Sequence, residues 1–233
     1  MGLPKIDLPI FELELPSNGK KVKYRQYTVK EEKILLVAQE ADDRLQELLA
    51  TKQIVNNCLV DATVSEISMF DLEYLLLALR SKSVDNVAKI QIIDEDTQEP
   101  VNLELDLTEV EVTRNEAHTN KVQINEDYTL FLRYPTIDEF IRIAETDEND
   151  PLVSYLIMVS CLDKVASEDE VHEFKNYTTK EVDDFMESVT TQVVEGIRQF
   201  FETMPKIRQV KTYKNKNGDL RTFVIEGQRS FFI

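Results

Sequence analysis

Tyr128-Thr129-Leu130-Phe131-Leu132-Arg133-Tyr134-Pro135-Thr136 marks the point where the chain changes from one kind of secondary structure to the other. Residues 128–134 are β-rich and partly alternating, which is typical of a strand. Pro135 ends the strand because it has no N–H to donate, and Thr136, followed by Glu139, begins a helix as a capping box. Strand patterns and helix patterns occupy separate stretches of the chain, so the sequence predicts an α+β fold.

The stretch before this boundary, residues 86–134, carries strand patterns separated by polar breaks. Residues 87–92 and 101–105 are alternating or β-rich, as half-buried strands are. The sequence therefore predicts a small antiparallel β-sheet in the middle of the chain. Residues 94–100 form its first turn, and their acidic side chains do not follow the spacing of an EF-hand calcium loop. We expect a solvated hairpin loop there and no metal ion.

Residues 28–82, nearer the N-terminus, form a predicted helical module. A hydroxyl residue followed three positions later by an acid predicts helix starts at Thr28 and at Ser68. Apolar residues recur at helical spacing after Thr28, and a further helix is predicted over residues 69–82. The consecutive apolar residues 75–79 indicate that this helix is buried on more than one side.

The stretch after the boundary, residues 136–204, is predicted to be mostly helical, with another capped start at Thr178. A β-hairpin over residues 207–226 follows these helices. Asn217 and Gly218 suit the positive-φ positions of a type I′ turn, which makes this pair a strong hairpin signal. The C-terminal helices are therefore predicted to be closed by a β-hairpin.

These patterns divide the chain into three predicted domains. Residues 1–84 form an N-terminal strand and helical module, and residues 85–135 form an acidic antiparallel β insert. Residues 136–233 form a helical region with a basic C-terminal hairpin and an apolar tail. The large apolar side chains of the tail either pack back onto the body or insert into a pocket of a partner.

The composition excludes most catalytic templates. The chain has two His, two Cys and five Gly among 233 residues, with a formal net charge of -17. Cys58 and Cys161 lie far apart without a CxxC neighbour, which favours buried free thiols in a reducing cytoplasm. Without imidazoles, thiols or a glycine-rich phosphate cradle, we expect no enzyme and no cofactor, and a surface that binds other proteins.

Two alternatives from other classes stay open. Paired carboxylates could serve an acidic enzyme, and the candidates are Asp94, Asp96, Asp183, Asp184 and Glu187. The other alternative is an acidic mimic of DNA. Mimics usually line carboxylates along one exposed face, whereas the acids of this chain alternate with core residues.

The charge is unevenly distributed, and it argues against nucleic acid as a partner. Residues 85–150 contain 18 acidic and five basic residues, whereas residues 205–233 contain seven Lys and Arg against Asp219 and Glu226. A body with a net charge of -17 repels a phosphate backbone. The longest mostly apolar stretch, residues 152–162, is too short to cross a bilayer, so no membrane association is expected. The first residues lack the apolar core of a secretion signal.

Several segments together resemble a known family, the baseplate proteins of T4-like contractile-tailed bacteriophages, which is associated with assembly of the baseplate hub. The segments that carry the resemblance follow one another over most of the chain: residues 21–33 (KVKYRQYTVKEEK), residues 75–84 ending in RSKSV, residues 105–107 (LDL), residues 132–136 (LRYPT) and residues 226–232 (EGQRSFF). The paired cysteines that relatives often carry near the first turn of the sheet are replaced here by residues 94–98, so a structural metal is not expected.

The resemblance implies a non-enzymatic tail-assembly protein, a chaperone for virion assembly, that binds baseplate hub or tape-measure proteins in the host cytoplasm. It leaves open whether the protein is instead a permanent structural subunit of the baseplate hub in the virion, and it leaves the oligomeric state open. Strong negative charge suits an assembly factor because it confers solubility and attracts basic patches. Buried anchors supply affinity, and the partner-binding candidates are Phe231, Phe232, Ile233, Arg221, Lys214 and Tyr213.

Overall fold

The computed structural model describes residues 6–41, 43–146 and 152–226, and it has a mixed α+β architecture, as predicted. Its strands are β1 (Ile10–Glu14), β2 (Lys21–Arg25), β3 (Val87–Ile93), β4 (Pro100–Asp106), β5 (Glu111–Thr113), β6 (Lys121–Gln123), β7 (Thr129–Leu132), β8 (Leu162–Ala166), β9 (Val171–Glu173), β10 (Lys206–Lys214) and β11 (Leu220–Glu226). Its helices are α1 (Val29–Ala41), α2 (Arg44–Cys58), α3 (Met69–Ser83), α4 (Ile137–Ala144), α5 (Val153–Ser160), α6 (Thr179–Ser188) and α7 (Thr191–Thr203).

The helix starts predicted from capping patterns are all confirmed. Thr28, Ser68, Thr136 and Thr178 immediately precede α1, α3, α4 and α6, and each side chain bonds the acid or amide three residues later. These bonds satisfy N–H groups that a helix cannot pair internally. Within the described residues, no helix combines the length and apolar character needed to cross a membrane.

The chain forms two compact units. The first unit contains Met1–Thr113 and Lys206–Ile233, and the second contains Arg114–Pro205. The three segments predicted as domains, residues 1–84, 85–135 and 136–233, divide the chain at other positions and stay a prediction.

In the first unit, the strands form antiparallel sheets that pack on α3. β1 pairs with β2, β3 pairs with β4, and β10 lies between β11 and β5. One apolar cluster lies beneath the β3–β4 and β10–β11 hairpins, and its fully or nearly buried members are Phe70, Leu77, Ala88, Ile90, Leu103, Leu105, Leu107, Ile207 and Ile225. This cluster fixes the position of the C-terminal hairpin in the unit.

In the second unit, a four-stranded antiparallel sheet in the order β6-β7-β8-β9 packs with helices around one core. The buried core residues are Val122, Leu130, Leu132, Cys161, Leu162, Val165, Val182, Met186, Val193, Ile197 and Phe200. Gly196 on α7 lies so close to β6 that an added Cβ would be 2.6 Å from Val122 Cγ1. Glycine at this position allows the helix to approach the strand.

The predicted single sheet over residues 86–134 is wrong in its arrangement. β3 and β4 form a two-stranded sheet, β5 joins β10, and β6 and β7 join β8 and β9. β8 and β9 also interrupt the stretch predicted to be mostly helical. Alternation along a strand shows which side chains face a core, but strand partners that are distant in sequence depend on tertiary packing.

The predicted C-terminal hairpin is confirmed as β10–β11, whereas its predicted turn type is wrong. Gly218 has a positive φ of 88°, and among the described non-glycine residues only Gln98 has one. Asn217 therefore does not adopt the conformation that a type I′ turn requires. Instead, Asn215 Oδ1 accepts hydrogen bonds from the amides of Asn217 and Asp219 at 3.1 and 2.9 Å. The Asn215 side chain organises a longer turn.

Candidate protein-binding surface

The β10–β11 hairpin has one face directed at the core of the first unit. Ile207 and Ile225 are almost fully buried, and Tyr213 and Phe223 pack at the margin of the same cluster. Gln209 Nε2 donates a hydrogen bond of 3.0 Å to the carbonyl oxygen of Asp106 at the end of β4. The hairpin is therefore held by apolar burial and by polar contacts with β4.

The turn between β3 and β4 binds the same face of the hairpin through its acidic residues. The Tyr213 hydroxyl donates a hydrogen bond of 2.7 Å to Asp94 Oδ2. Arg221, which lies opposite Tyr213 on β11, forms an ion pair with Asp96. Lys216 pairs with Glu99. The expectation of a solvated loop is wrong for Asp94, which is only 1% exposed, because its carboxylate bonds the neighbouring hairpin.

These contacts change the ionisation of the two groups at the centre. The hydrogen bond from Tyr213, together with bonds of 2.9 Å from the Thr97 amide and hydroxyl, lowers the pKa of Asp94 to about 2. The same bond raises the pKa of Tyr213, because the phenol donates its proton to a carboxylate. Hydrogen bonds that favour the charged form of a carboxyl have this effect. Asp94 is therefore ionised and engaged at neutral pH.

The opposite face of the hairpin points away from this core, and we call it the outward face. Its residues are Val210, Thr212, Lys214, Leu220, Thr222 and Val224, and all are exposed. Val210 and Val224 pair across the strands and are 48% and 42% exposed, and Leu220 is 67% exposed. β11 is also the edge strand of this sheet among the described residues. Exposed apolar side chains on an edge hairpin are suited to contact with another protein.

The partner-binding candidates from the sequence are placed differently from one another. Lys214 lies on the outward face, opposite Leu220. Tyr213 and Arg221 lie on the other face and bond the acidic turn. Residues 231–233, the apolar tail, lie outside the described residues. The structure thus brings Tyr213 and Arg221 together on one side of the hairpin and Lys214 on the other side.

The sequence analysis did not identify Val210, Leu220 and Val224 as surface residues. The alternation along the strands could have indicated them, because Val210 and Val224 occupy positions that alternate with buried residues such as Gln209 and Ile225. When a strand carries apolar side chains on both faces and the core covers only one of them, the other face remains exposed to solvent. Which face is covered depends on the core beneath the hairpin and cannot be read from the strand alone.

Three of the carboxylates considered for catalysis, Asp94, Asp96 and Asp183, are engaged in structural contacts. Asp183 accepts a hydrogen bond of 2.6 Å from the Tyr155 hydroxyl. Burial and this carboxylate together raise the pKa of Tyr155. Cys58 and Cys161 are buried free thiols, as expected, and burial raises their pKa values to about 11 and about 12.

The histidines are also bonded to neighbouring side chains. His118 lies 2.8 Å from the Tyr134 hydroxyl and 2.9 Å from Thr203 Oγ1, and it stacks on Phe200. Burial lowers the pKa of His118. His172 is more exposed and contacts Tyr177 and Glu170. His118 is therefore part of the packing of the second unit.

Comparison with protein families gives a match over nearly the whole sequence. The family described as T4 bacteriophage base plate protein matches residues 8–233. Neither the curated proteins nor the solved structures contain a match to the chain. The extent of the family match shows that the chain belongs to the T4 bacteriophage base plate protein family, in agreement with the resemblance seen in the sequence.

Proposed function

We propose that this member of the T4 baseplate family is a non-enzymatic tail-assembly protein that binds baseplate hub or tape-measure components during assembly of the baseplate hub. Membership of the family supports a role in the phage baseplate and contact with other baseplate proteins. The proposal places the protein in the host cytoplasm while tails are being built. A permanent place in the baseplate of the virion is the competing possibility.

The outward face of the β10–β11 hairpin is the observation that carries this proposal. It presents three large apolar side chains, Val210, Leu220 and Val224, on a hairpin that its inner face holds in place. A surface held in this way binds with little loss of conformational freedom. Apolar residues at the centre of an interface supply most of its affinity, and Lys214 on the same face suits an acidic rim on the partner.

The strong negative charge of the chain supports a role in handling incomplete assemblies. A formal net charge of -17 opposes self-association. It also attracts basic patches on a partner and so accelerates their encounter. Charge then governs the rate of association, while the apolar residues of the outward face hold the complex.

The state of the cysteines and histidines supports a non-enzymatic role. Thiols with pKa values near 11 and 12 are protonated at neutral pH, and a protonated thiol is a poor nucleophile. His118 is committed to Tyr134 and Thr203, and it stacks on Phe200. The two thiols and His118 are therefore poor candidates for a catalytic role.

Binding assays with purified target proteins test the proposal. The full-length protein is tested for complex formation with the hub proteins and the tape-measure protein of its own phage. The variant Val210→Thr, Leu220→Thr, Val224→Thr keeps β-propensity and removes apolar surface, so we expect at least about tenfold weaker binding. Ile93→Thr, which removes an exposed apolar side chain from β3, is the matched control and should bind normally. Equal binding by both variants contradicts the assigned surface.

The apolar tail is tested separately. Deletion of Phe231, Phe232 and Ile233 should abolish capture of the partner with little change in Tm. A truncated protein that unfolds would show instead that the tail belongs to the core. Mass spectrometry of purified virions then distinguishes a transient assembly factor, which is absent from them, from a permanent baseplate subunit.

A further inference from the structure

We infer that the chain contains one structural module twice, the product of an internal duplication. The inference goes beyond the proposed function and does not depend on it. Module 1 covers residues 10–106 and module 2 covers residues 121–226. Each begins with an antiparallel hairpin, continues through two helices to a buried cysteine, then has a 3-10 turn and a capped helix, and ends in a second hairpin.

The first module joins its opening hairpin to its first helix through a clasp of three side chains. Arg25 Nη2 donates to Glu31 Oε1 at 3.1 Å, and the amide and hydroxyl of Thr28 donate to Glu31 Oε2 at 2.9 and 2.7 Å. Arg25 Nη1 also donates to the carbonyl oxygen of the next residue, Gln26. Burial opposes ionisation of Glu31, but these donors outweigh it and lower its pKa to about 2.

The second module has the same clasp at the same spacing, Arg-x-x-Thr-x-x-Glu. Arg133 Nη2 donates to Glu139 Oε1 at 2.8 Å, and the amide and hydroxyl of Thr136 donate to Glu139 Oε2. Arg133 Nη1 again donates to the carbonyl oxygen of the next residue, Tyr134. Burial again opposes ionisation, and the pKa of Glu139 is nevertheless lowered. The correspondence thus extends to individual donor and acceptor atoms.

The elements around each clasp also correspond. The residues one and three positions before the clasp arginine are buried in both modules: Tyr24 and Val22, and Leu132 and Leu130. The residue after each buried cysteine pairs antiparallel with the residue before the clasp arginine: Leu59 with Tyr24, and Leu162 with Leu132. The two helices of each module lie between the paired residues, so this return contact is not a local effect.

The later part of each module repeats in the same order. Each module has a 3-10 turn, Val64–Glu66 in the first and Phe174–Asn176 in the second. In both, the backbone amide of the following residue donates a hydrogen bond of 3.1 Å to the carbonyl oxygen of the first turn residue. The next residue caps a helix, Ser68 for α3 and Thr178 for α6. Module 2 differs by the β8–β9 hairpin, inserted between the cysteine and the 3-10 turn, and by the extra helix α7.

The terminal hairpins have the same register. β3–β4 runs from the pair Val87–Asp106 to the pair Ile93–Pro100, and β10–β11 from Arg208–Glu226 to Lys214–Leu220, with seven pairs in each. In both, the amide of the first turn residue bonds the carbonyl oxygen of the last: Asp94 to Glu99, and Asn215 to Asp219. The residue before the last has a positive φ in both turns, Gln98 and Gly218.

Exchange of equivalent residues tests the inference in the full chain. By register, Val210 and Val224 correspond to Lys89 and Glu104. The variant Val210→Lys, Val224→Glu should therefore keep the β10–β11 register, seen as unchanged cross-strand nuclear Overhauser contacts, with Tm lowered by only a few degrees. Loss of that register overturns the equivalence of the hairpins. This readout is independent of partner binding, so its failure is distinct from failure of the proposed function.

Matched clasp variants test the other half of the module. Glu31→Ala should accelerate hydrogen exchange of the Thr28 amide about tenfold or more, because a charge-assisted bond is lost. Glu139→Ala should accelerate exchange of the Thr136 amide in the same way. In Glu31→Gln and Glu139→Gln, both amides should keep much of their protection, because the glutamine side chain can still accept the hydrogen bond from the cap residue. The duplication is overturned if a substitution of Glu139 leaves hydrogen exchange of the Thr136 amide unchanged while the same substitution of Glu31 changes exchange of the Thr28 amide.

Discussion

The β3–β4 and β10–β11 hairpins have the same register, but their outward faces differ. On β3–β4, Lys89 pairs with Glu104 at 3.5 Å, and Gln91 Nε2 donates to Asn102 Oδ1 at 3.1 Å. On β10–β11, the corresponding positions hold Val210 with Val224 and Thr212 with Thr222. The outward face of β3–β4 thus has two polar cross-strand pairs and one exposed large apolar side chain, Ile93, whereas the outward face of β10–β11 exposes Val210, Leu220 and Val224. The backbone is a common scaffold, and a few outward residues distinguish the β3–β4 hairpin from the hairpin that carries the proposed binding surface.

The turns of the two hairpins differ as well, and in a complementary way. The β3–β4 turn is acidic, and Asp96 and Glu99 bind Arg221 and Lys216 of the C-terminal hairpin. Much of the basic charge that the sequence places near the C-terminus is therefore compensated within the first unit. Attraction between this hairpin and a distant acidic partner should be weaker than its sequence suggests.

Truncation of a buried side chain on the inner face should have the largest effect on stability, and the loss of stability should be similar in both hairpins. Leu105→Ala and Ile225→Ala each remove a fully buried side chain from one cluster. We expect each to lower the free energy of unfolding by about 2–5 kcal/mol, measured by urea denaturation. If only one of them is strongly destabilising, the inner faces are not equivalent.

Removal of the Tyr213 hydroxyl should give a smaller effect that depends on pH. The pKa of Asp94 is held at about 2, below its ordinary value, by the bond from Tyr213. This stabilisation is fully present above the ordinary pKa, about 3.9, and is lost as the pH falls toward 2.

The variant Tyr213→Phe should therefore lower Tm at pH 7, and the difference from the wild type should shrink below about pH 4. The pKa of Asp94, followed by carboxyl carbon chemical shift, should rise in the variant. A pKa that does not move would mean that Thr97 alone sets the ionisation of Asp94.

Substitution on the outward face of β10–β11 should leave stability almost unchanged. Val210 and Val224 are about half exposed, so Val210→Thr with Val224→Thr should alter the free energy of unfolding by about 0.5 kcal/mol or less. The same denaturation experiment measures this. A large loss of stability would show that these residues serve the fold and would remove the basis for the binding surface.

The smallest effect is expected on the outward face of β3–β4. Lys89→Ala with Glu104→Ala removes an ion pair whose side chains are both mostly exposed, and exposed pairs contribute between about 0 and 1 kcal/mol. The change should also diminish with added salt, because salt screens exposed charges. Unfolding measured at low and high salt separates this contribution from any loss of strand propensity.

Local patterns were the part of this molecule most open to prediction. The caps at Thr28 and Thr136 were identified because donor and acceptor lie within one helical turn. The C-terminal hairpin was identified from Asn217 and Gly218, although Asn215 organises its turn. The Arg-x-x-Thr-x-x-Glu spacing also occurs twice in the sequence but was not recognised, because neither arginine is part of a capping rule.

Strand partners and exposed faces were beyond prediction for a common reason. The pairing of β5 with β10 joins segments more than ninety residues apart, and no local preference encodes it. The outward face of β10–β11 likewise exists only because Ile207 and Ile225 are covered by residues from distant parts of the chain. The hairpin itself could therefore be predicted from local sequence, whereas the exposed face that forms the candidate site could be identified only from the tertiary packing.

By itself the sequence determined the α+β class, the helix starts, the C-terminal hairpin and the resemblance to a phage baseplate family, since these depend on neighbouring residues or on ordered motifs. Only the tertiary structure decided which strands pair, that Asp94 and Tyr213 bind each other, and which face of the last hairpin stays exposed. Burial and long-range pairing are properties of the assembled chain, because each requires side chains from separate segments to meet.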